Sequence, residues 1–200
     1  MSNTQKILPY FPLGIFLLPG EDTPLRIFEP RYIQLIEEAR EEGSTFAIPF
    51  VLDDKTQDFG CEVKLQQVVA ENPSGRMVVT IEGVSLVKIE SFFNHLDDKL
   101  FAGGMIQVLS DSGFLTDSKL ISLISNYRLH LDSSFLATAD LDSLKLNDVL
   151  SALNLSSEEK YNFCCIHDLH QKKQYLVKQI NFLMLIRKQE QLLGSDFGLN

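Results

Sequence analysis

The sequence has 200 residues, 44% of them hydrophobic and 22% charged, and its 18 basic and 27 acidic side chains leave a net charge of -9. This length allows a core that needs no disulfide or structural metal, and the negative charge argues against sequence-independent binding to nucleic acid, which depends on neutralising phosphates. Three cysteines do not make a secreted disulfide framework and no apolar run reaches 18 residues, so we expect a cytoplasmic protein without a membrane span.

The character of the sequence changes near residue 113. Before it, apolar residues alternate or form short runs bounded by Gly, Pro, Asn and Asp, which is typical of strands. After it, proline is absent and apolar residues recur every three or four positions, which is typical of helices. The sequence therefore predicts a strand-rich domain over residues 1–113, with 17 acidic and 9 basic side chains, and a helical subdomain over residues 114–200.

Six strands are predicted in the first domain. Residues 71–76 read ENPSGR and have the residue types of a tight turn, so the strands on either side should pair as an antiparallel hairpin. Gly83, inside the second of these strands, predicts a bulge or bend. Many short strands with few helices between them are typical of a closed or nearly closed antiparallel barrel. The predicted strands cover residues 10–18, 25–28, 45–51, 59–69, 76–93 and 101–109.

One helix interrupts these strands, and three or four helices follow them. The first helix should begin at Pro30, because proline is tolerated at the first helical position, and should end at Gly43. In the second half, Ser156 followed by Glu159 has the spacing of a capping box. We expect this pair to open a long C-terminal helix that runs to about residue 193.

Residues 12–38, which read PLGIFLLPGEDTPLRIFEPRYIQLIEE, resemble the N-terminal, substrate-binding domain of the Lon family of ATP-dependent proteases. The resemblance implies an α+β fold, in which a PUA-like antiparallel β-barrel with one inserted helix is followed by an α-helical subdomain. At Leu86 and Lys88 the sequence departs from the family, where arginine is usual. The motif that carries the resemblance most strongly is the run Phe28, Glu29, Pro30, Arg31 and Tyr32.

We read this run as structural, as the start of the first helix. In this interpretation the carboxylate of Glu29 caps the free N–H groups of the helix, and an arginine of the motif clamps a neighbouring loop.

The resemblance also implies a function. It suggests a non-catalytic module that binds unfolded or apolar polypeptide segments, as an adaptor or chaperone-like factor in protein quality control, with a protease or ATPase as partner. No G-x-x-x-x-G-K-[ST] motif is present, and the ATPase and Ser–Lys protease domains of Lon need several hundred further residues. We therefore expect a stand-alone protein without enzymatic activity or cofactor. The alternative is a PUA-type protein that binds RNA or a small ligand, with nucleic acid disfavoured by the acidic first domain.

Two groups of residues are candidates for a site. Phe92 and Phe93 lie at a predicted strand end, where neighbouring side chains face opposite ways, so one aromatic ring should be exposed and able to contact an apolar peptide. Strand addition at an open sheet edge is a second way to bind a peptide. Cys164, His167 and His170 share a broad face of the predicted long helix, but zinc sites usually combine two separated ligand pairs, so we expect no metal.

Overall fold

The structure is a computed structural model that describes residues 4–110, 113, 115–128 and 144–197. These residues form six strands and five helices, a mixed α+β architecture. The chain divides into two units, one made of Met1–Asp111 with Ser156–Cys165 and the other of Ser112–Leu155 with Ile166–Asn200. A single boundary near residue 113 does not describe this grouping, because residues 156–165 belong with the strands.

The first unit is built on a six-stranded sheet. Its strand order is β2-β5-β4-β3-β1-β6, and β6 also pairs with β5, so the ladder β5-β4-β3-β1-β6 returns to its starting strand. Strand β2 lies outside this ring and pairs with β5. The strands are β1 Gln5–Tyr10, β2 Asp22–Ile27, β3 Thr45–Leu52, β4 Lys55–Glu71, β5 Met77–Ile89 and β6 Ala102–Val108.

Two features of the sheet differ from the sequence prediction. The first strand is Gln5–Tyr10 rather than residues 10–18, since Pro12 and Gly14 interrupt the apolar run, although Phe16 and Leu18 are buried. The sheet is also not wholly antiparallel, because β1 and β3 run parallel with Tyr10 opposite Ala47. Parallel neighbours need a crossover connection, which is supplied here by the chain through β2 and the first helix.

The predicted hairpin and bulge are both confirmed. Strands β4 and β5 pair from Glu71 opposite Met77, and the register shifts where Val63 meets Gly83 but Glu62 meets Ser85. Gly83 exchanges backbone hydrogen bonds with the 18–21 turn, donating to Glu21 O and accepting from Gly20 N, both at 2.8 Å. A Cβ at Gly83 would collide with the carbonyl oxygen of Leu18, so lack of space requires glycine there.

Helix α1, Pro30–Glu42, covers the core of the first unit. It ends at Gly43, whose φ of 64° is left-handed, as expected for a helix C-terminus. Its buried side chains lie on one face and pack into a cluster with residues of β2 to β5 such as Ile48 and Val79. The buried residues of the helix are Tyr32, Leu35, Ile36 and Ala39.

The predicted long C-terminal helix is interrupted. Two helices occupy this segment, α4 over Ser157–Cys165 and α5 over Leu169–Phe197, and a break of three residues separates them. The break has a clear cause, because Asp168 accepts a hydrogen bond from the Gln171 N–H at 2.8 Å and so caps a new helix. The predicted capping box is present, with reciprocal hydrogen bonds between Ser156 and Glu159.

Helix α4 belongs to the first unit and packs on its strands. The ring of Tyr161 lies 5.1 Å from that of Phe50 and 5.9 Å from that of Phe16. Lys160 forms an ion pair with Glu21 at 2.7 Å, and both side chains are largely shielded from water. The strand-rich unit is therefore completed by a segment that begins 48 residues after Val108, its last strand residue.

The second unit consists of helices α2, Ser118–Arg128, α3, Leu146–Ala152, and α5. Each helix buries an apolar face, and the α2 face includes Leu120, Ile124 and Tyr127. The guanidinium of Arg187 lies 5.7 Å from the centre of the Tyr127 ring. Among the described residues, no helix combines the length and apolar character needed to cross a membrane.

Candidate functional site

The run from Phe28 to Tyr32 joins β2 to α1. Glu29 is the last extended residue, with φ -79° and ψ 135°, and Pro30 stands in the first turn as predicted. The Glu29 side chain makes no capping hydrogen bond, so the prediction that it caps the helix is wrong. Caps usually use the short side chains of Ser, Thr, Asp or Asn. The carboxylate of Glu29 instead pairs with Arg31 at 2.7 Å.

Arg31 and Tyr32 hold this junction against the core. The Arg31 guanidinium lies 4.6 Å from the centre of the Tyr32 ring, and that ring stacks on Phe11 with centroids 3.9 Å apart. Burial raises the pKa of Tyr32. Arg31 therefore holds its own junction rather than a neighbouring loop. Phe28 has no place in this packing and is 63% exposed.

Phe28 borders a surface cavity of about 420 Å³, which we call the Phe28 hollow. The register of the sheet assembles it, because Arg26 is opposite Val78 and Val78 is opposite Ala70. An exposed aromatic ring beside a cavity with apolar walls is typical of a surface that receives apolar side chains. The apolar lining comes from Ile27, Phe28, Ala70, Met77 and Val78.

Four polar residues complete the lining of the hollow, and two of them are already engaged. Glu71 forms an ion pair with Arg40 at 3.0 Å. The Asn72 side chain accepts hydrogen bonds from the backbone N–H groups of Ser74 and Arg76 at 3.0 Å, which shapes the β4–β5 turn. The side chains of Arg26 and Arg76 remain at the rim of the hollow, and both residues are exposed.

Phe92 and Phe93 form a second exposed aromatic patch, beyond the other end of β5. Both are partly exposed, at 42% and 45%, rather than one buried and one exposed. The Phe92 ring lies 5.4 Å from that of Tyr10, and Phe93 forms two backbone hydrogen bonds with Gly103. The adjoining cavity, of about 320 Å³, is lined mostly by polar side chains. The Phe28 hollow is thus the more apolar of the two places.

Most of the chain, from β1 into α5, matches a protein family. A family model described as the ATP-dependent protease La (LON) substrate-binding domain matches residues 7–194. The chain belongs to the Lon substrate-binding domain family. The match includes every residue that lines the Phe28 hollow, and it confirms the resemblance seen in residues 12–38.

Solved structures of Lon N-terminal domains have the same fold. A Lon N-terminal domain protein from Xanthomonas campestris is 23% identical with a TM-score of 0.64, over 86% of this chain and 98% of that chain. The N-terminal domain of a Lon protease from the Mycobacterium avium complex is 13% identical with a TM-score of 0.61, over 88% and 98%. No curated protein matches the sequence.

The two departures from the Lon pattern have ordinary structural roles here. Leu86 is buried and pairs with Cys61 of β4. Lys88 lies on the surface and forms an ion pair with Glu90 at 2.9 Å. Neither residue lines the Phe28 hollow.

The candidate metal ligands Cys164, His167 and His170 do not lie on one helix. Cys164 is buried in α4, His167 falls in the break between α4 and α5, and His170 in α5 lies 2.8 Å from the Gln174 side chain. The shared helical face that suggested a site therefore does not exist. Among the described residues, no group of three or more His, Cys, Asp or Glu side chains is arranged to hold a metal.

Sequence reasoning assigned Phe28 only to a structural motif at the helix start and predicted neither its exposure nor the hollow. The cavity joins residues 26–28 to residues 70–78, and only the register of β2 against β5 brings these segments together. The signal that was available is the predicted turn at 71–76, which places Arg76 beside a strand end. The partner strand of that end could not be read from the sequence.

Proposed function

We propose that this chain is a non-catalytic polypeptide-binding module that receives apolar side chains of unfolded segments in the Phe28 hollow. Membership of the Lon substrate-binding domain family supports substrate binding in general. The observation that carries the specific site is the 63% exposure of Phe28 on a hollow with apolar walls. A side chain that covers Phe28 removes apolar surface of both partners from water.

The proposed role is that of an adaptor or chaperone-like factor in the cytoplasm, presenting bound chains to a protease or ATPase. We interpret the closed ring of five strands as a PUA-like barrel, which would hold the hollow on a rigid frame. One exposed aromatic ring contributes about 1 to 2 kcal/mol. Affinity for a single segment should therefore be weak, and selectivity for particular sequences low, as suits a protein that samples many unfolded chains.

Two further contacts are part of the proposal. Phe92 and Phe93 would offer a second apolar contact to a long client chain. A peptide strand could also add along the outer edge of β2. Because the Gly83 N–H donates to Glu21 O, the alternation of the ladder directs the backbone groups of Asp22, Pro24 and Arg26 away from β5. Pro24 is in the middle of this edge and has no N–H to donate, which limits strand addition.

Binding to a labelled unfolded chain tests the site. The probe is α-lactalbumin that has been reduced and carbamidomethylated, compared with the native protein. We expect the unfolded form to bind and the native form not to bind. Phe28→Ala should weaken binding about fivefold or more, in line with the lost apolar contact.

The matched control is Phe182→Ala, which removes a phenylalanine of similar exposure, 55%, from helix α5. It should leave the dissociation constant unchanged. Phe93→Ala measures the second patch separately. Equal affinity in the wild type and Phe28→Ala would contradict the assignment of the hollow, and cleavage of the probe by the isolated chain, with or without ATP, would contradict the non-catalytic role.

A further inference from the structure

Two guanidinium groups at the Phe28 hollow are unpaired within the part of the chain that the structure describes. Arg26 and Arg76 line the cavity, yet neither forms an ion pair, a side-chain hydrogen bond or a cation–π contact with any described residue. Other described arginines are engaged, with Arg31 on Glu29 and Arg40 on Glu71. The carboxylate that lines the hollow, Glu71, is therefore already neutralised by a different arginine.

The register places these two arginines on either side of Phe28. Arg26 is opposite Val78 on the outer face, while Ile27 and Met77, the next pair, are 2% and 3% exposed and face the core. Continuing the register by one residue sets Phe28 opposite Arg76 on the outer face, since side chains alternate between faces. Phe28 thus has one arginine two residues away along β2 and another across from it.

This spacing matches that of an extended ligand. In a strand, side chains two residues apart point the same way and are separated by about 6.6 Å. An extended segment with an apolar side chain against Phe28 would bring the side chain two residues away within reach of a guanidinium. Carboxylates are the natural partners of arginine, because they accept two parallel N–H hydrogen bonds.

The surrounding charge selects between anionic ligands. The first domain carries 17 acidic and 9 basic side chains. A nucleic acid, with a charge at every phosphate, would meet repulsion from this excess along its length. A segment with one or two carboxylates needs only the two arginines at the rim.

We propose that the Phe28 hollow selects extended polypeptide segments in which an aspartate or glutamate stands two residues from an apolar side chain. This preference rests on the proposed function and adds a recognition pattern to it. It predicts that clients bind through apolar residues with acidic neighbours rather than through apolar runs alone.

NMR titration of the isotope-labelled chain with capped peptides tests the preference. The test peptide is acetyl-Gly-Ser-Glu-Ser-Phe-Ser-Glu-Ser-Gly-amide, and the neutral peptide has Gln in place of both Glu. At low salt the acidic peptide should bind about five- to tenfold more tightly, as expected for two partly exposed ion pairs. The difference should shrink in 0.5 M NaCl, where such pairs are screened.

Variants assign the effect to the two arginines. The double variant Arg26→Gln/Arg76→Gln should bind the acidic peptide only as tightly as the neutral one, with affinity for the neutral peptide unchanged. Lys88→Gln is the matched control, because it removes a surface cation that lies away from the hollow and is paired with Glu90. It should retain the preference for the acidic peptide.

Each other outcome overturns the proposal in a distinguishable way. Equal affinity for the two peptides removes the acidic preference and leaves polypeptide binding at Phe28 intact, whereas no binding of either peptide contradicts the proposed function as well. If a neutral peptide with a free C-terminal carboxylate binds as tightly as the acidic peptide, the site recognises chain ends rather than acidic side chains. If a single-stranded RNA decamer binds more tightly than the acidic peptide, the site recognises phosphate groups.

Discussion

Among the described residues, Glu62 is the one charged residue that is buried, at 2% exposure. Its hydrogen-bond partners lie on three other strands. Its carboxylate accepts hydrogen bonds from Lys6 at 2.9 Å, Thr45 at 2.7 Å and Ser85 at 2.8 Å. Burial alone would raise the pKa of Glu62, but these hydrogen bonds outweigh it and lower the pKa below its ordinary value of 4.5. The ionised carboxylate therefore stabilises the junction of β1, β3, β4 and β5.

Glu62→Gln should lower the free energy of unfolding by about 2 kcal/mol at pH 7, since a charge-assisted network is replaced by neutral hydrogen bonds. A carboxyl whose folded pKa is lowered stabilises the fold above its unfolded pKa and loses that contribution as the pH falls through the folded value. The difference in free energy of unfolding between the wild type and Glu62→Gln should therefore become smaller below about pH 4.5. Urea denaturation from pH 7 to pH 3 measures both effects.

Glu82→Gln is the control for Glu62→Gln, because Glu82 forms an ion pair with Lys64 at the surface. Glu82→Gln should lower the free energy of unfolding at pH 7 by less than about 1 kcal/mol, as expected for a surface ion pair. If the difference in free energy of unfolding between the wild type and Glu62→Gln stays constant down to pH 3, the lowered pKa of Glu62 does not contribute to stability as we expect.

Residue-scale features were the hardest to read from the sequence. A glutamate in a predicted strand gives no sign that a lysine 56 positions earlier will reach it. Gly83 was readable as a bulge because glycine within a strand is unusual. The reason for it, a close approach of the Leu18 carbonyl, depends on a turn in a different part of the chain.

At the scale of elements, helix α4 is the part of the first unit that the sequence assigned elsewhere. Its own hydrophobic pattern is short, and the residues that follow it also favour a helix, so the two segments read as one long helix. Asp168 marks the boundary between them, because it accepts a hydrogen bond from the Gln171 N–H and so caps the N-terminus of α5. The packing of α4 depends on Tyr161, which contacts the rings of Phe16, Phe50 and Phe59.

Tyr161→Ala should lower the free energy of unfolding by about 3 kcal/mol, because it removes a ring from this aromatic cluster. Tyr161→Phe is the matched control and should cost about 1 kcal/mol or less, because it keeps the ring and removes only the hydrogen bonds of the hydroxyl, including the long contact with Gln57 at 3.4 Å. Urea denaturation gives the cost, and hydrogen exchange over residues 157–165 shows whether α4 is released. Equal losses in the two variants would mean that the hydroxyl, rather than the ring, anchors the helix.

At the scale of the whole molecule, the division between a strand-rich part and a helical part could be read from the sequence because the hydrophobic period changes near residue 113 and no proline follows Pro73. The family could be read from residues 12–38, a single local block. The ring of strand pairings could not be read, because the parallel contact of β1 with β3 and the contact of β1 with β6 join segments far apart in the chain. The Phe28 hollow depends on the pairing of β2 with β5, which is why the sequence placed Phe28 in a structural motif and assigned it no binding role.

Hydrogen exchange with mass spectrometry tests whether unfolded chains bind at the Phe28 hollow, as we propose. The chain is compared with and without reduced, carbamidomethylated α-lactalbumin. We expect slower exchange in the two segments that line the hollow, residues 26–28 and 70–78, with native α-lactalbumin producing no change. Protection confined to other segments, or none at concentrations where the complex forms, would contradict the claim.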